Sequence, residues 1–163
     1  MEHVDIEDAF KRASVPELEV KPRWRRFSTS GWQAQFHLEF WVDNVGEATA
    51  FVPFLELQIR TNFHLEWPNH VLGVHRERMP EGQMSYGNSE FVIHPGQTRL
   101  TERLEIHFVF DSETKSTELI GGLAVDRASL RFRYAVFAKD MRKKVGEIVF
   151  GPEEFRHVRW DSF

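Results

Sequence analysis

Apolar and polar residues alternate through most of this chain. In the clearest stretch, positions 35–42, every second residue is apolar: Phe36, Leu38, Phe40 and Val42. Similar alternation covers 51–61, 97–110 and 129–138, and a further strand pattern at 145–150 follows the charged turn at 140–144. Alternation of this kind predicts β-strands with one buried face.

Shorter strand candidates lie at 18–21, 91–93 and 119–125. They bring the expected total to roughly seven or eight strands. The intervening segments hold no helix of the length that parallel strands need for a crossover. We therefore predict an all-β protein built as a two-sheet antiparallel sandwich, with a closed barrel as the alternative.

The chain begins with a helical pattern before the strands start. Residues 5–13 place their apolar side chains on one helix face, Asp5 is suited to cap that helix, and Pro16 ends it. We expect residues 1–16 to form an N-terminal helix and linker, and residues 17–163 to form one β domain. Within that domain, 62–90 lacks a sustained period and is interpreted as a long insertion.

The composition limits the classes of function. The 163 residues include no Cys, which excludes a disulfide framework, a thiol nucleophile and Cys-ligated zinc or iron–sulfur sites. With 21 Lys and Arg against 25 Asp and Glu, the net charge of −4 argues against bulk binding of nucleic acid. The N-terminus does not resemble a secretory signal, and no window approaches the ~20 apolar residues of a membrane-spanning helix. We expect a cytoplasmic protein without membrane contact.

Two phrases carry a resemblance to a known class of domain. Both are turn sequences with fixed positions, which are Asn44, Gly46 and Ala50 in the first phrase and Pro95, Gly96 and Thr98 in the second. They resemble the turns of the immunoglobulin-like β-sandwich accessory modules attached to many bacterial proteins. The resemblance covers roughly 18–150 and is interrupted by 62–90. It implies an immunoglobulin-like sandwich used for binding or spacing, without catalysis.

Two aromatic residues fall on the polar side of their strands, namely Trp41 and Phe137. Exposed aromatic side chains are typical of interfaces. We therefore expect these two residues to contact a protein partner or a second copy of the chain. The first hypothesis is a non-catalytic accessory module that mediates protein–protein contact or domain packing.

Two other hypotheses use different residues. A small-ligand or carbohydrate site in the insertion would be lined by Trp67, His70, His75 and Tyr86. Weak binding of nucleic acid would use the basic run 21–27, in which the candidate anion-binding residues are Arg23, Arg25 and Arg26. The alternative interpretations are aromatic residues that cap the core and a charged edge strand that resists aggregation.

No motif predicts catalysis or a cofactor. The chain has no Gly-x-Ser-x-Gly sequence and no Gly-rich phosphate loop. The nearest approach to a metal-ligand set is His64, Glu66, His70 and His75. Pro68 prevents a regular helix there, and the His70–His75 spacing suits neither a helix face nor a strand face. We expect no enzyme, no metal and no cofactor.

Overall fold

The computed structural model describes residues 15–30, 33–69, 71–79, 82–88, 90–111, 116–119 and 123–156, which are mostly β structure. In chain order the strands are β1 (Leu18–Ser30), β2 (Gln33–Asn44), β3 (Ala50–Phe51), β4 (Phe54–Thr61), β5 (Val74–Met79), β6 (Gly82–Gly87), β7 (Val92–Ile93), β8 (Thr98–Asp111), β9 (Ser116–Leu119), β10 (Leu123–Ala124), β11 (Leu130–Phe137) and β12 (Lys144–Phe150). The described helical structure is a 3-10 turn, Val125–Arg127, and a short helix, α1 (Pro152–Arg156). The prediction of an all-β protein is confirmed.

Two five-stranded antiparallel sheets form the two layers of the fold. Sheet one has the order β1-β2-β8-β9-β10, sheet two has the order β12-β11-β4-β6-β5, and β3 pairs with β7 in a separate ribbon. The β2–β8 register shifts after Phe40, so that Phe40 lies opposite Glu102 and Trp41 lies opposite Leu100. The bulge therefore moves Leu100 to the outer face beside Trp41, although the alternation predicts it to be inward.

The core lies between the inner faces of the two sheets. Its fully buried side chains include Leu38, Phe40, Ile106 and Phe108 from sheet one and Leu55, Leu57, Phe132 and Val136 from sheet two. The rings of Phe40 and Phe132 meet edge to face with centroids 5.0 Å apart, which joins the layers. Trp24, from the basic run, is partly buried and packs against the core, with its ring centroid 5.5 Å from that of Phe150.

Asn44 joins the two turn phrases. Its side-chain Nδ2 donates to the carbonyls of Ala48 and Ile93, both at 2.8 Å, and its Oδ1 accepts from the Gly46 N–H at 3.0 Å. A Cβ at Gly46 would lie 2.4 Å from the Glu17 nitrogen, so only glycine fits there. The polar groups of Asn44 are satisfied at full burial, which gives this turn phrase a structural role.

The segment 62–90 differs from the irregular insertion that its sequence predicts. It contains β5 and β6, which pair with each other and extend sheet two beyond β4. The pattern does not predict these strands because polar side chains occupy their inner face, namely Arg76, Gln83 and Ser85. Twelve strands are described, more than the number predicted. The predicted N-terminal helix and linker, 1–16, lies outside the described residues except for 15 and 16.

Candidate functional site

An aromatic ladder crosses the outer face of sheet two. Phe137 lies opposite Phe54, Phe54 lies opposite Tyr86, and Tyr86 lies opposite His75. Because opposite residues on neighbouring strands project from the same face, these four rings form one row across β11, β4, β6 and β5. His75 is exposed and the other three rings are partly exposed. We call this row the aromatic ladder.

The rings of the aromatic ladder stack on one another. Phe54 and Phe137 are nearly parallel, with centroids 4.8 Å apart and planes at 2°. Phe54 and Tyr86 stack at 5.5 Å and 25°, and His75 lies 5.4 Å from Tyr86. Lys143 Nζ lies 5.4 Å from the centroid of Phe137. Phe54 is therefore stacked on both faces, and Tyr86 has Phe54 on one side and the tilted His75 ring on the other, which leaves mainly ring edges as their free surface.

A groove continues from the aromatic ladder along β11. Its first part, a depression of about 420 Å³, is lined by Lys143, Ala135 and Arg133 among others. Its second part, about 240 Å³, is lined by Arg60, Arg131 and Arg133 among others. The seven positions of β4 from 54 to 60 span about 20 Å along the strand. We call these two depressions the sheet-two groove.

The far end of the sheet-two groove is rich in guanidinium groups. Arg60 and Arg131 are direct cross-strand partners, and like charges in such positions destabilise a sheet. Arg131 Nε is paired with Glu147 Oε1 at 2.9 Å. Arg60 and Arg133 are exposed and have no ion pair among the described residues. This end of the groove is therefore suited to an anionic group.

The predicted anion-binding residues lie on sheet one instead, along the edge strand β1. Arg23 lies over the Trp41 ring at 5.4 Å. Arg25 Nη1 is 3.8 Å from Glu39 Oε2. Both guanidinium groups already have a partner on β2, and the side chain of Arg26 lies outside the described residues.

A histidine–glutamate cluster lies on β8, next to the residues that pair with β9. Glu66 forms an antiparallel bridge with Glu105, with backbone N–O distances of 3.1 and 2.9 Å. His107 Nε2 lies 3.2 Å from Glu66 Oε2 and 3.1 Å from Glu105 Oε1. His64 Nε2 lies 3.6 Å from Glu66 Oε1. These four residues are the histidine–glutamate cluster.

His37 of β2 lies behind the histidine–glutamate cluster. It is the register partner of Glu105, and its Nε2 is 3.8 Å from Glu105 Oε2. Burial lowers the pKa of His37, and the charges of Arg103 and Arg25 act in the same direction, whereas Glu105 and Glu39 oppose them. The imidazole is therefore held toward its neutral form.

A second carboxylate of β8, Glu102, is 1% exposed and faces the interior. Arg76 approaches it with two nitrogens, Nε at 2.9 Å from Oε2 and Nη2 beside Oε1. The Ser85 hydroxyl donates to Oε2, and the Arg103 backbone N–H donates to Oε1 at 2.9 Å. The bidentate pair and its two further donors make this a saturated structural site.

The residues predicted to line a ligand site do not all converge. His75 and Tyr86 are neighbours in the aromatic ladder, whereas Trp67 packs against the core, where the Arg76 guanidinium lies over its ring at 5.2 Å. Arg76 and His75 are adjacent in β5, so their side chains face opposite sides of the sheet. Trp67, which contacts Arg76, therefore lies on the face opposite His75. His70 lies outside the described residues.

The two predicted interface residues lie on opposite layers. Phe137 belongs to the aromatic ladder of sheet two, and Trp41 lies on the outer face of sheet one. They therefore do not form one continuous patch. The structure instead joins Phe137 with two of the predicted ligand residues, His75 and Tyr86.

The sequence-based candidates do not include several residues that these sites use, namely Phe54, Arg60, Arg133, Glu105 and His107. Phe54 and Arg60 occupy positions of their strand that the alternation predicts to face outward, so the sequence contains a signal that identifies them. His64 and Glu66 have the same two-residue spacing as Glu105 and His107. Nothing in the sequence shows that these two segments pair.

Among the described residues, no helix is both long enough and apolar enough to cross a membrane. No model of a known protein family matches the chain, and no curated protein matches it significantly. Function is therefore inferred from the residues of this chain and their geometry.

Proposed function

We propose that this chain is a non-catalytic immunoglobulin-like binding module whose sheet-two groove holds an acidic segment of a partner protein. The aromatic ladder carries the proposal, because it places a row of four rings at one end of a groove whose other end holds Arg60 and Arg133, which have no ion pair among the described residues. Aromatic and Arg side chains are the residues enriched at protein interfaces.

The strand order supports the immunoglobulin-like part of the proposal. In that fold, the strands conventionally named A, B and E share one sheet, and C, F and G share the other. Here β1, β2 and β8 lie together, and β4, β11 and β12 lie together. The β6 and β5 strands extend the second sheet beyond β4, as the extra strands of variable-type domains do. The pair β9 and β10 follows β8 in the chain and departs from that pattern.

The ring geometry favours a protein segment over a carbohydrate. A sugar stacks on the open face of an aromatic ring, but the faces of Phe54 and Tyr86 are taken by neighbouring rings. Ring edges and the adjoining groove offer apolar contact to side chains instead. The separation of Trp67 from His75 further weakens the carbohydrate hypothesis.

The charge of the groove favours an acidic partner. Arg60 and Arg133 lack ion pairs in the described part of the chain, although the whole chain has a net charge of −4. A segment that brings carboxylates to Arg60 and Arg133 and apolar side chains to the aromatic ladder satisfies both ends. Its extended length would be about six residues.

The test is titration of the full chain with labelled peptides of about 12 residues that differ only in charge. One peptide combines Asp and Glu with Leu and Phe, and the other replaces the acids with Lys. We expect the acidic peptide to bind more tightly, and Arg60→Gln with Arg133→Gln to weaken it by about tenfold. Added salt is expected to weaken it further.

The matched control is the pair Arg23→Gln with Arg25→Gln, which removes the same charge from sheet one. Binding unchanged by this control supports the groove, whereas an equal loss in both pairs contradicts it. Oligothymidylate that binds tighter than the acidic peptide, and loses affinity in the Arg23 and Arg25 variant, would instead favour the nucleic-acid hypothesis.

A further inference from the structure

The histidine–glutamate cluster is built by two mirrored sequence segments. His64 and Glu66 are separated by one residue, as are Glu105 and His107. This spacing directs both side chains of a pair to one strand face. Since Glu66 and Glu105 are antiparallel bridge partners, the pairing directs His64 toward the side on which His107 lies. His107, Glu105 and Glu66 therefore converge beside β8, and His64 lies next to Glu66.

The distances between donor atoms are compatible with a metal site. In a tetrahedral zinc site with bonds of about 2.0–2.1 Å, neighbouring ligand atoms lie roughly 3.3 Å apart. His107 Nε2 lies 3.1 Å from Glu105 Oε1 and 3.2 Å from Glu66 Oε2. Ligand atoms of the three residues all lie within 4.8 Å of one another. Two of the three distances between ligand atoms are therefore close to that of a tetrahedral site.

The charge of the cluster calls for a cation. A neutral imidazole carries a single N–H, but the same nitrogen of His107 faces two carboxylates. No Lys or Arg among the described residues forms an ion pair with Glu66 or Glu105. A divalent cation between the two carboxylates would remove their mutual repulsion and satisfy His107 as a neutral ligand.

Two side chains of the cluster are largely buried, and the other two are exposed to solvent. The side chains of Glu105 and His107 are 15% and 18% exposed, whereas those of Glu66 and His64 are 53% and 69% exposed. On its inner side, the second oxygen of Glu105 faces His37 Nε2 at 3.8 Å. An ion has an entry path from solvent, and His37 is placed to orient the Glu105 carboxylate from behind.

We propose that the histidine–glutamate cluster binds Zn²⁺ through His107 Nε2 and one oxygen each of Glu66 and Glu105, with His64 as the fourth ligand. Imidazole and carboxylate ligands suit this ion. The ion would reinforce the bridge by which the connection after β4 is joined to β8. The proposal replaces the expectation of no metal and keeps only His64 and Glu66 of the set considered from sequence.

The experiment uses the full chain without a polyhistidine tag, stripped of metal by dialysis against a chelator. Zn²⁺ is titrated in competition with a chromogenic chelator, and Co²⁺ is added separately to record its visible absorption. We expect one equivalent to bind and Co²⁺ to show the intense bands of tetrahedral coordination. His107→Ala should weaken binding by at least ~100-fold, and His64→Ala by about tenfold, because His64 lies at the margin.

Matched controls separate this site from adventitious binding to surface histidines. His75→Ala and His94→Ala make the same change outside the cluster and should leave the affinity unchanged. Glu66→Gln keeps the backbone bridge and the side-chain size, so its expected loss of affinity does not depend on misfolding, and thermal unfolding of each variant checks this. Equal binding by the wild type, His107→Ala and Glu66→Gln, or the absence of tetrahedral Co²⁺ bands, would overturn the proposal.

Discussion

Glu102 and Glu105 are carboxylates on the same strand with opposite surroundings. Glu102 faces the interior, where a bidentate guanidinium, a hydroxyl and a backbone N–H occupy its oxygens. Glu105 faces outward, where its described side-chain partners are the imidazoles of His37 and His107. The first site is closed by a permanent charge, whereas Glu105 has no Lys or Arg ion pair among the described residues. One strand thus supplies both a structural tie and an adaptable site.

The largest effect is expected at the closed site. Arg76→Ala should lower the free energy of unfolding by about 3–5 kcal/mol, because the Glu102 carboxylate stays buried without its cation. Denaturant unfolding at pH 7 measures this. Arg131→Ala is the matched control, because its pair with Glu147 is exposed and should cost no more than about 1 kcal/mol. A similar decrease in the free energy of unfolding for both variants would contradict the distinction between the buried pair at Glu102 and the exposed pair at Glu147.

A smaller loss is expected from the hydroxyl that completes the closed site. Ser85→Ala removes a hydrogen bond to a charged acceptor and should lower the free energy of unfolding by about 1.5–3 kcal/mol. Ser129→Ala removes the same atom from an exposed position and should change it by less than about 0.5 kcal/mol. If the two variants unfold alike, Glu102 does not depend on Ser85.

The contrast also explains which features the sequence reveals. Long strands such as β2 and β8 follow from alternation because their inner residues are apolar. The sequence does not predict the β5–β6 hairpin because polar residues, Arg76 and Ser85, occupy inner positions. Both side chains bind the buried carboxylate of Glu102, and this contact is known only from the structure. The histidine–glutamate cluster escapes for a related reason. Its two halves are distant in sequence, and only the bridge between Glu66 and Glu105 joins them.

We expect the stability of the protein to decrease in acid because of His37, which lies beside Glu105. Because burial lowers the pKa of His37 in the folded protein, the unfolded chain binds more protons below about pH 6.5. Above about pH 6.5, the free energy of unfolding therefore does not depend on the protonation of His37. It decreases as the pH falls from there toward the pKa of His37 in the folded protein, by at most about 1.4 kcal/mol per pH unit. His37→Gln should remove that part of the slope.

The measurement is the free energy of unfolding of both proteins between about pH 5 and 8, with a chelator present. Glu105, Glu39, Arg103 and Arg25 face His37 and are unchanged in the variant, so the difference between the two curves isolates the imidazole. Parallel curves would show that the protonation of His37 is not linked to folding.

The smallest effect on stability is expected from Glu105→Gln, which compares the two carboxylates directly. At pH 8 without metal, this change should alter the free energy of unfolding by less than about 1 kcal/mol, because its partners are imidazoles and solvent has access to the cluster. Glu102→Gln, the same change on the same strand, should cost several times more, since it leaves the largely buried Arg76 without its counter-charge. Denaturant unfolding of the two variants in parallel decides this. Equal costs would mean that Glu105 is a second structural tie, and a stable Glu105→Gln protein that no longer binds Zn²⁺ would show that this carboxylate serves binding.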